Sequence, residues 1–240
     1  MPRSSLLLLL AFSALAPSAA AQGFEGTITM TLTSTSGGGQ ANEMSMKTAT
    51  RGDRTVMTMV MGSSAGPMAG MEVRSIMDRM ANTITTLTSL PPGMPLSPAM
   101  AGAKGFVMVM PLSRMSGMGG RGLDATPAIR KLRTSQTIAG MRCDDYEIAE
   151  QGSAPIRACI TSALGTFTFP TPNGGTTGGR GGPAQPGWAR AFGDKPAYPL
   201  KVWGTDGKVA LLVTAIDKNP VPESAFAIPE GYVPMPGRGG

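Results

Sequence analysis

Gly26-Thr27-Ile28-Thr29-Met30-Thr31-Leu32-Thr33 reads GTITMTLT, a strict alternation of apolar and hydroxyl side chains. An extended chain sends successive side chains to opposite faces. Ile28, Met30 and Leu32 therefore share one face, and the four threonines share the other. A helix would scatter both sets around its circumference. The stretch reads as a half-buried strand, and β-branched isoleucine and threonine suit that conformation.

The same period recurs outward from it. Met44, Met46 and Thr48 share a face of the next segment, and Arg54 to Met61 follows the Arg51-Gly52-Asp53 turn. Met71–Met77 and Thr83–Leu87 flank a turn at 78–82, and Phe106–Met110 is a short apolar run. Arg130–Thr137 and Arg142–Ala149 flank Ala139-Gly140, with Pro155–Thr161 returning beside them. Tyr198–Trp203 and Lys208–Asp217 flank Thr205-Asp206-Gly207, a strong hairpin signal. Glu223–Phe226 reads as one helical turn. No long 3.6-residue periodicity and no repeat appears. About ten or eleven strands with short turns imply a mainly β chain with little helix: one curved antiparallel sheet or open half-barrel.

The 240 residues include 33 glycines, 21 prolines, 19 methionines and no histidine. Without histidine there is no imidazole base, no Ser-His-Asp triad and no His-ligated zinc. Gly62-Ser63-Ser64-Ala65-Gly66 matches a nucleophile-elbow string but lacks the base and the following helix that the elbow needs. Gly117, Gly119 and Gly122 match a dinucleotide fingerprint, yet Leu123-Asp124-Ala125-Thr126-Pro127 is a poor helix start. Arg180, Arg121 and Arg238 sit among glycines without neighbouring aromatics, so they read as solvated linkers and not as a nucleic-acid surface. Asp144, Asp145, Glu147 and Glu150 read as a solvated face, since one strand converges at most two of them. No enzyme activity, cofactor or metal site of this kind is expected.

Arg3, the apolar run Leu6–Leu15 and the small residues Ala16–Ala21 read as a secretory signal cut between Ala21 and Gln22. The run is too short to span a bilayer, which takes about 20 residues. Residues 1–21 are thus a signal peptide, 22–236 one β domain, 171–187 a disordered Gly/Pro-rich insertion and 237–240 a flexible tail. The expected location is the periplasm or the medium, in a Gram-negative envelope. The chain's net charge of +6 falls to +5 without Arg3, and suits an anionic envelope surface better than nucleic acid.

Cys143 and Cys159 have their midpoint at residue 151. A hairpin closing at Glu150–Ser153 would set them directly opposite each other, in disulfide range and in an oxidising compartment.

The methionines are the unusual signal. Met44 and Met46, then Met57, Met59 and Met61, then Met108 and Met110 are spaced by two, which places each set on one strand face. Three readings fit: core filler, a soft lining for an apolar ligand, or a Cu(I) site. The lining would comprise Met30, Met44, Met46, Met57, Met59, Met108 and Met110. For copper, three sulfurs on one strand lie too far apart, but cross-strand sets such as Met44 or Met46 opposite Met59 could converge.

Thr137–Tyr146 (TIAGMRCDDY), Pro199-Leu200-Lys201-Val202, Phe226-x-Ile228-Pro229-x-Gly231-Tyr232 and Phe24-Glu25-Gly26-Thr27-Ile28 resemble, in the right order, an uncharacterised family of secreted bacterial proteins known only as domain-of-unknown-function family 4412. The chain departs at Met141, where an aromatic is usual, and in its 171–187 insertion. That family is similar to the LolA/LolB-like lipoprotein carriers, which implies a curved antiparallel sheet whose concave face holds acyl chains. The resemblance implies no catalytic residue. The expectation is an exported, non-catalytic binder of a lipid or lipoprotein acyl chain; the alternative is a periplasmic methionine-rich Cu(I)-binding protein.

Overall fold

Period-2 segments separated by turn residues have only one way to satisfy their backbone: pair edge to edge. The computed structural model shows the result, and describes residues 24–35, 41–91, 102–113, 127–150, 152–167, 192 and 195–235. The expected signal peptide, insertion and tail lie outside the described residues. The strands are β1 (Gly26–Thr35), β2 (Ala41–Arg51), β3 (Arg54–Met61), β4 (Glu72–Asp78), β5 (Thr83–Ser89), β6 (Gly105–Pro111), β7 (Ala128–Ile138), β8 (Met141–Ala149), β9 (Ile156–Thr161), β10 (Tyr198–Gly204), β11 (Val209–Asp217) and β12 (Tyr232–Pro234). Ser63–Met68 and Glu223–Phe226 form short 3-10 turns. No described helix is long and apolar enough to cross a membrane.

All twelve strands among the described residues join one open, curved sheet, ordered β12-β6-β5-β4-β3-β2-β1-β11-β10-β9-β8-β7. It is two meanders, β1–β6 and β7–β11, joined where β1 pairs with β11 across most of the sequence. Neighbours are antiparallel except β12, which runs parallel to β6. Register shifts at Thr29/Met30, Val202/Trp203, Pro199/Lys201 and Lys131/Ser135 interrupt the ladders. Such irregularities increase local twist and bend a sheet. Turn chemistry follows the sequence: Ala139 and Gly140 both take positive φ (49° and 77°), as a tight two-residue hairpin demands.

Both outer edges are guarded. β12 is three residues long and ends in proline, while β7 is bulged and exposes Arg130, Lys131 and Arg133. Short, charged or bulged edges resist pairing with another chain.

Two apolar clusters form, the larger uniting β1–β4 with β8–β11. The smaller packs Ala49, Val56, Ile76 and Leu87 beneath Val221 and Phe226. The segment after β11 thus crosses the sheet as a strap. Arg51 donates to the Val221 carbonyl (3.3 Å) and Arg74 to that of Ala225. Arg54 grips Glu223 with both guanidinium nitrogens (Nη2–Oε2 2.7 Å) and lies 4.8 Å over the Phe226 ring. That hydrogen-bonded pairing holds the Glu223 carboxyl below the usual carboxylate range.

The strap ends as β12, with Tyr232 stacked on Gly105. A Cβ at Gly105 would lie 2.3 Å from the Thr88 carbonyl and 2.6 Å from the Tyr232 ring. Gly105→Ala is therefore expected to cost on the order of 1–3 kcal/mol, as overpacking does, and to raise amide exchange in 231–235. An alanine variant with native stability and native exchange would refute that contact.

The disulfide expected between Cys143 and Cys159 is present, with Cα atoms 5.3 Å apart. The expected register needs correction. Asp145, not Cys143, stands opposite Cys159, and Ile148 faces Ile156. The Glu150–Ser153 turn forms (Ser153 N–H to Glu150 O, 3.1 Å), but Ala154 and Pro155 remain outside both strands, and the hairpin centre moves from 151 to 152. A slip of two residues preserves the face, so the cysteines bond diagonally. The expected solvated acidic face is also corrected. Asp145 is buried and accepts a hydrogen bond from Gln136 (2.8 Å), while Asp144 pairs with Lys131, and Glu147 with Arg130 and Arg157.

Candidate functional site

Residues directly opposed in neighbouring strands share a face, so the register lays out one face of the sheet row by row. One row runs Val213, Met30, Met46, Met59, Val73, Thr88, Phe106 across β11, β1, β2, β3, β4, β5 and β6. The next, toward one end of the strands, runs Leu211, Leu32, Met44, Met61. On the other side lies Ile216, Ile28, Thr48, Met57, Ser75, Thr86, Met108. A further row holds Thr50, Thr55, Met77, Ile84 and Met110.

All seven methionines read from the sequence as a lining therefore occupy one face. They are not equivalent. Met30, Met46, Met57 and Met59 are buried within the larger cluster. Met44, Met108 and Met110 are half-buried. Met108 and Met110 stand apart from the other five, separated by β4 and β5 with Val73, Ser75, Met77, Ile84 and Thr86.

The opposite face carries little of this. Beneath the strap it holds a cleft of about 250 Å³ lined by residues including Lys47, Val56, Glu72, Arg74 and Val221. Its walls carry charges of both signs beside short apolar side chains.

The lining read from the sequence omits Met61, although its spacing puts it on the face of Met57 and Met59, and omits Met71 and Met77; all three belong to the same face or its rim. The alternation already sets Thr48 on the face of Met44 and Met46, but leaves out Ser75 and Thr86. Thr48, Ser75 and Thr86 lie in one cross-strand row of the methionine face, with Ser75 and Thr86 buried. The Thr48 Oγ1 is buried and has no hydrogen-bond partner. A buried hydroxyl without a partner costs about 1–3 kcal/mol. Strand alternation alone could have placed these three residues, but not in one row, because a row exists only once the register is set. A second such hydroxyl is that of Tyr198, which packs edge-on against Phe167 at 4.9 Å and whose ionisation burial suppresses.

Chemically, the face offers polarisable thioethers, aliphatic side chains and a few neutral hydroxyls. Among the described residues no three of His, Cys, Asp and Glu gather as metal ligands. The arrangement can hold apolar chains, or soft cations through sulfur.

Comparison with known proteins adds a family and a distant structure. The family described as "Domain of unknown function (DUF4412)" matches residues 24–232. No curated protein matches. Among solved structures, the chain is similar to a crystal structure of a Vibrio parahaemolyticus domain assigned by its description to outer membrane lipoprotein sorting. The two share 9% identity and a TM-score of 0.32, over 85% of this chain and 90% of the other.

Proposed function

We propose that this chain, which belongs to the DUF4412 family, is an exported, non-catalytic binding protein that takes an acyl chain, from a lipid or a lipoprotein, onto its methionine face. The observation that carries the reading is the continuity of that face. Registered rows of methionine and aliphatic side chains run from β1 to β6, with Met30, Met46, Met57 and Met59 as a buried floor and Met44, Met108 and Met110 keeping apolar surface open to solvent. Thioether side chains are unbranched and polarisable, so such a wall adapts to chains of varied length and shape.

Energetics favour a long apolar ligand. Each buried methylene contributes about 0.8 kcal/mol, so a chain of a dozen carbons outweighs its ordering cost where a small molecule does not. Export accords with the N-terminal signal pattern and with a disulfide that persists in oxidising compartments. The positive net charge would hold the protein near anionic envelope lipids.

The test is uptake of a fluorescent fatty acid by the purified protein, with native mass spectrometry for lipid that copurifies. Binding is expected, and the double variant Met108→Glu/Met110→Glu is expected to weaken it at least about tenfold while the fold persists, because both positions are half-buried. Absence of uptake and of copurifying lipid, or equal affinity in the variant, would overturn the proposal.

A further inference from the structure

Met61 ends β3, and the chain turns back to it through the Ser63–Met68 3-10 turn. The Gly70 N–H donates to the Met61 carbonyl (2.9 Å), and the Met61 N–H donates to the Met71 carbonyl (3.0 Å). Gly70 takes φ +75°. This is a β-bulge with glycine in its left-handed position, setting two residues of the returning chain against one. It places Met71 beside Met61, just as Met61 stands opposite Met44.

The methionine face therefore ends in a triplet from three separate segments: Met44, Met61 and Met71. Behind it, one row inward, Met46 stands opposite Met59. Met68, exposed, precedes the triplet on the incoming turn, with its carbonyl bonded to the Met71 N–H (3.0 Å).

We propose that Met44, Met61 and Met71 form a site for a soft monovalent cation, Cu(I) or Ag(I), held by thioether sulfur alone. Three considerations carry it. Directly opposed residues in adjacent strands lie about 4.5–5.5 Å apart, so Met61 has Met44 on one side and Met71 on the other, and three long unbranched side chains on one face can bring their sulfurs together over Met61. Neutral thioethers select soft Cu(I) over harder divalent ions, which prefer nitrogen and oxygen. All three residues are half-buried, so an ion reaches the sulfurs without losing all contact with water. Burial of an unpaired charge would otherwise be prohibitive, as it is deeper in the face.

The inference goes beyond the acyl-binding reading and does not rest on it. Met44 is common to both readings, while Met61 and Met71 lie at the rim of the face, away from Met108 and Met110, which play no part in the metal site. The experiment titrates the purified protein anaerobically with Cu(I), supplied as its acetonitrile complex, against a bicinchoninate competitor. One ion is expected per chain, held far more tightly than by free methionine, with a sulfur-only shell by X-ray absorption. Met61→Leu/Met71→Leu is expected to weaken binding at least about tenfold, and Met108→Leu/Met110→Leu to leave it unchanged. Leucine conserves the volume, so circular dichroism and the urea midpoint should stay close to wild type. Affinity no better than that of free methionine, an unaffected Met61/Met71 variant, or an equal loss in the Met108/Met110 variant would each overturn the site. Fatty-acid uptake measured on the same variants separates failure here from failure of the acyl reading.

Discussion

Met46→Ala is expected to lower the free energy of unfolding by about 2–5 kcal/mol, the range for truncating a large buried side chain. Met46 has 0% exposure and lies midway along β2, between Met30 and Met59 in adjacent strands. Its neighbours are held by two backbone ladders and cannot close over the space left behind. The loss therefore combines transfer of the side chain to water with a residual cavity. Met46→Leu conserves volume and should cost less than about 1.5 kcal/mol. Urea unfolding of both variants reads this difference. If the alanine variant stays within about 0.5 kcal/mol of wild type, as ordinary surface changes do, the inner methionines do not form a packed wall. The acyl reading would then lack a rigid floor for its ligand.

Joint replacement of Cys143 and Cys159 by alanine is expected to cost about 3 kcal/mol, the chain-entropy value for a loop of roughly this size. The sequence separation is 16 residues, and the bond ties β8 to β9 near the β7 edge of the sheet. Both cysteines are buried, at 2% and 0% exposure, so a reductant reaches the bond only through local opening. Dithiothreitol should lower the urea midpoint of the wild type toward that of the variant, and slowly. Equal midpoints for oxidised wild type and variant would show that the hairpin is held by its ladder alone.

Local pattern made most strands readable. GTITMTLT and the Met57-Met59-Met61 run alternate so regularly that no helical reading competes, and the turn at Ala139-Gly140 is written in residues that accept positive φ. β12 escaped because Tyr232–Pro234 is too short to show a period and pairs only with β6, which lies far away in sequence. The cysteine register escaped because two extra loop residues, Ala154 and Pro155, moved the hairpin centre without moving either cysteine to the other face. Asp145 looked solvated because its partner, Gln136, lies across the hairpin on the edge strand β7, and a strand's own pattern does not show which cross-strand side chain it meets.

The candidate site divides in the same way. The sequence by itself determined that Met44, Met46, Met57, Met59, Met108 and Met110 group by strand face, because side-chain alternation is a property of the extended backbone alone. Only the tertiary structure decided that β1 closes against β11, which methionines are sealed and which stay half-open, and that Met71 joins Met44 and Met61. Those outcomes depend on pairing between segments far apart in the chain. Such register is fixed by bulges, loop lengths and burial of the whole sheet, none of which a single strand's pattern contains.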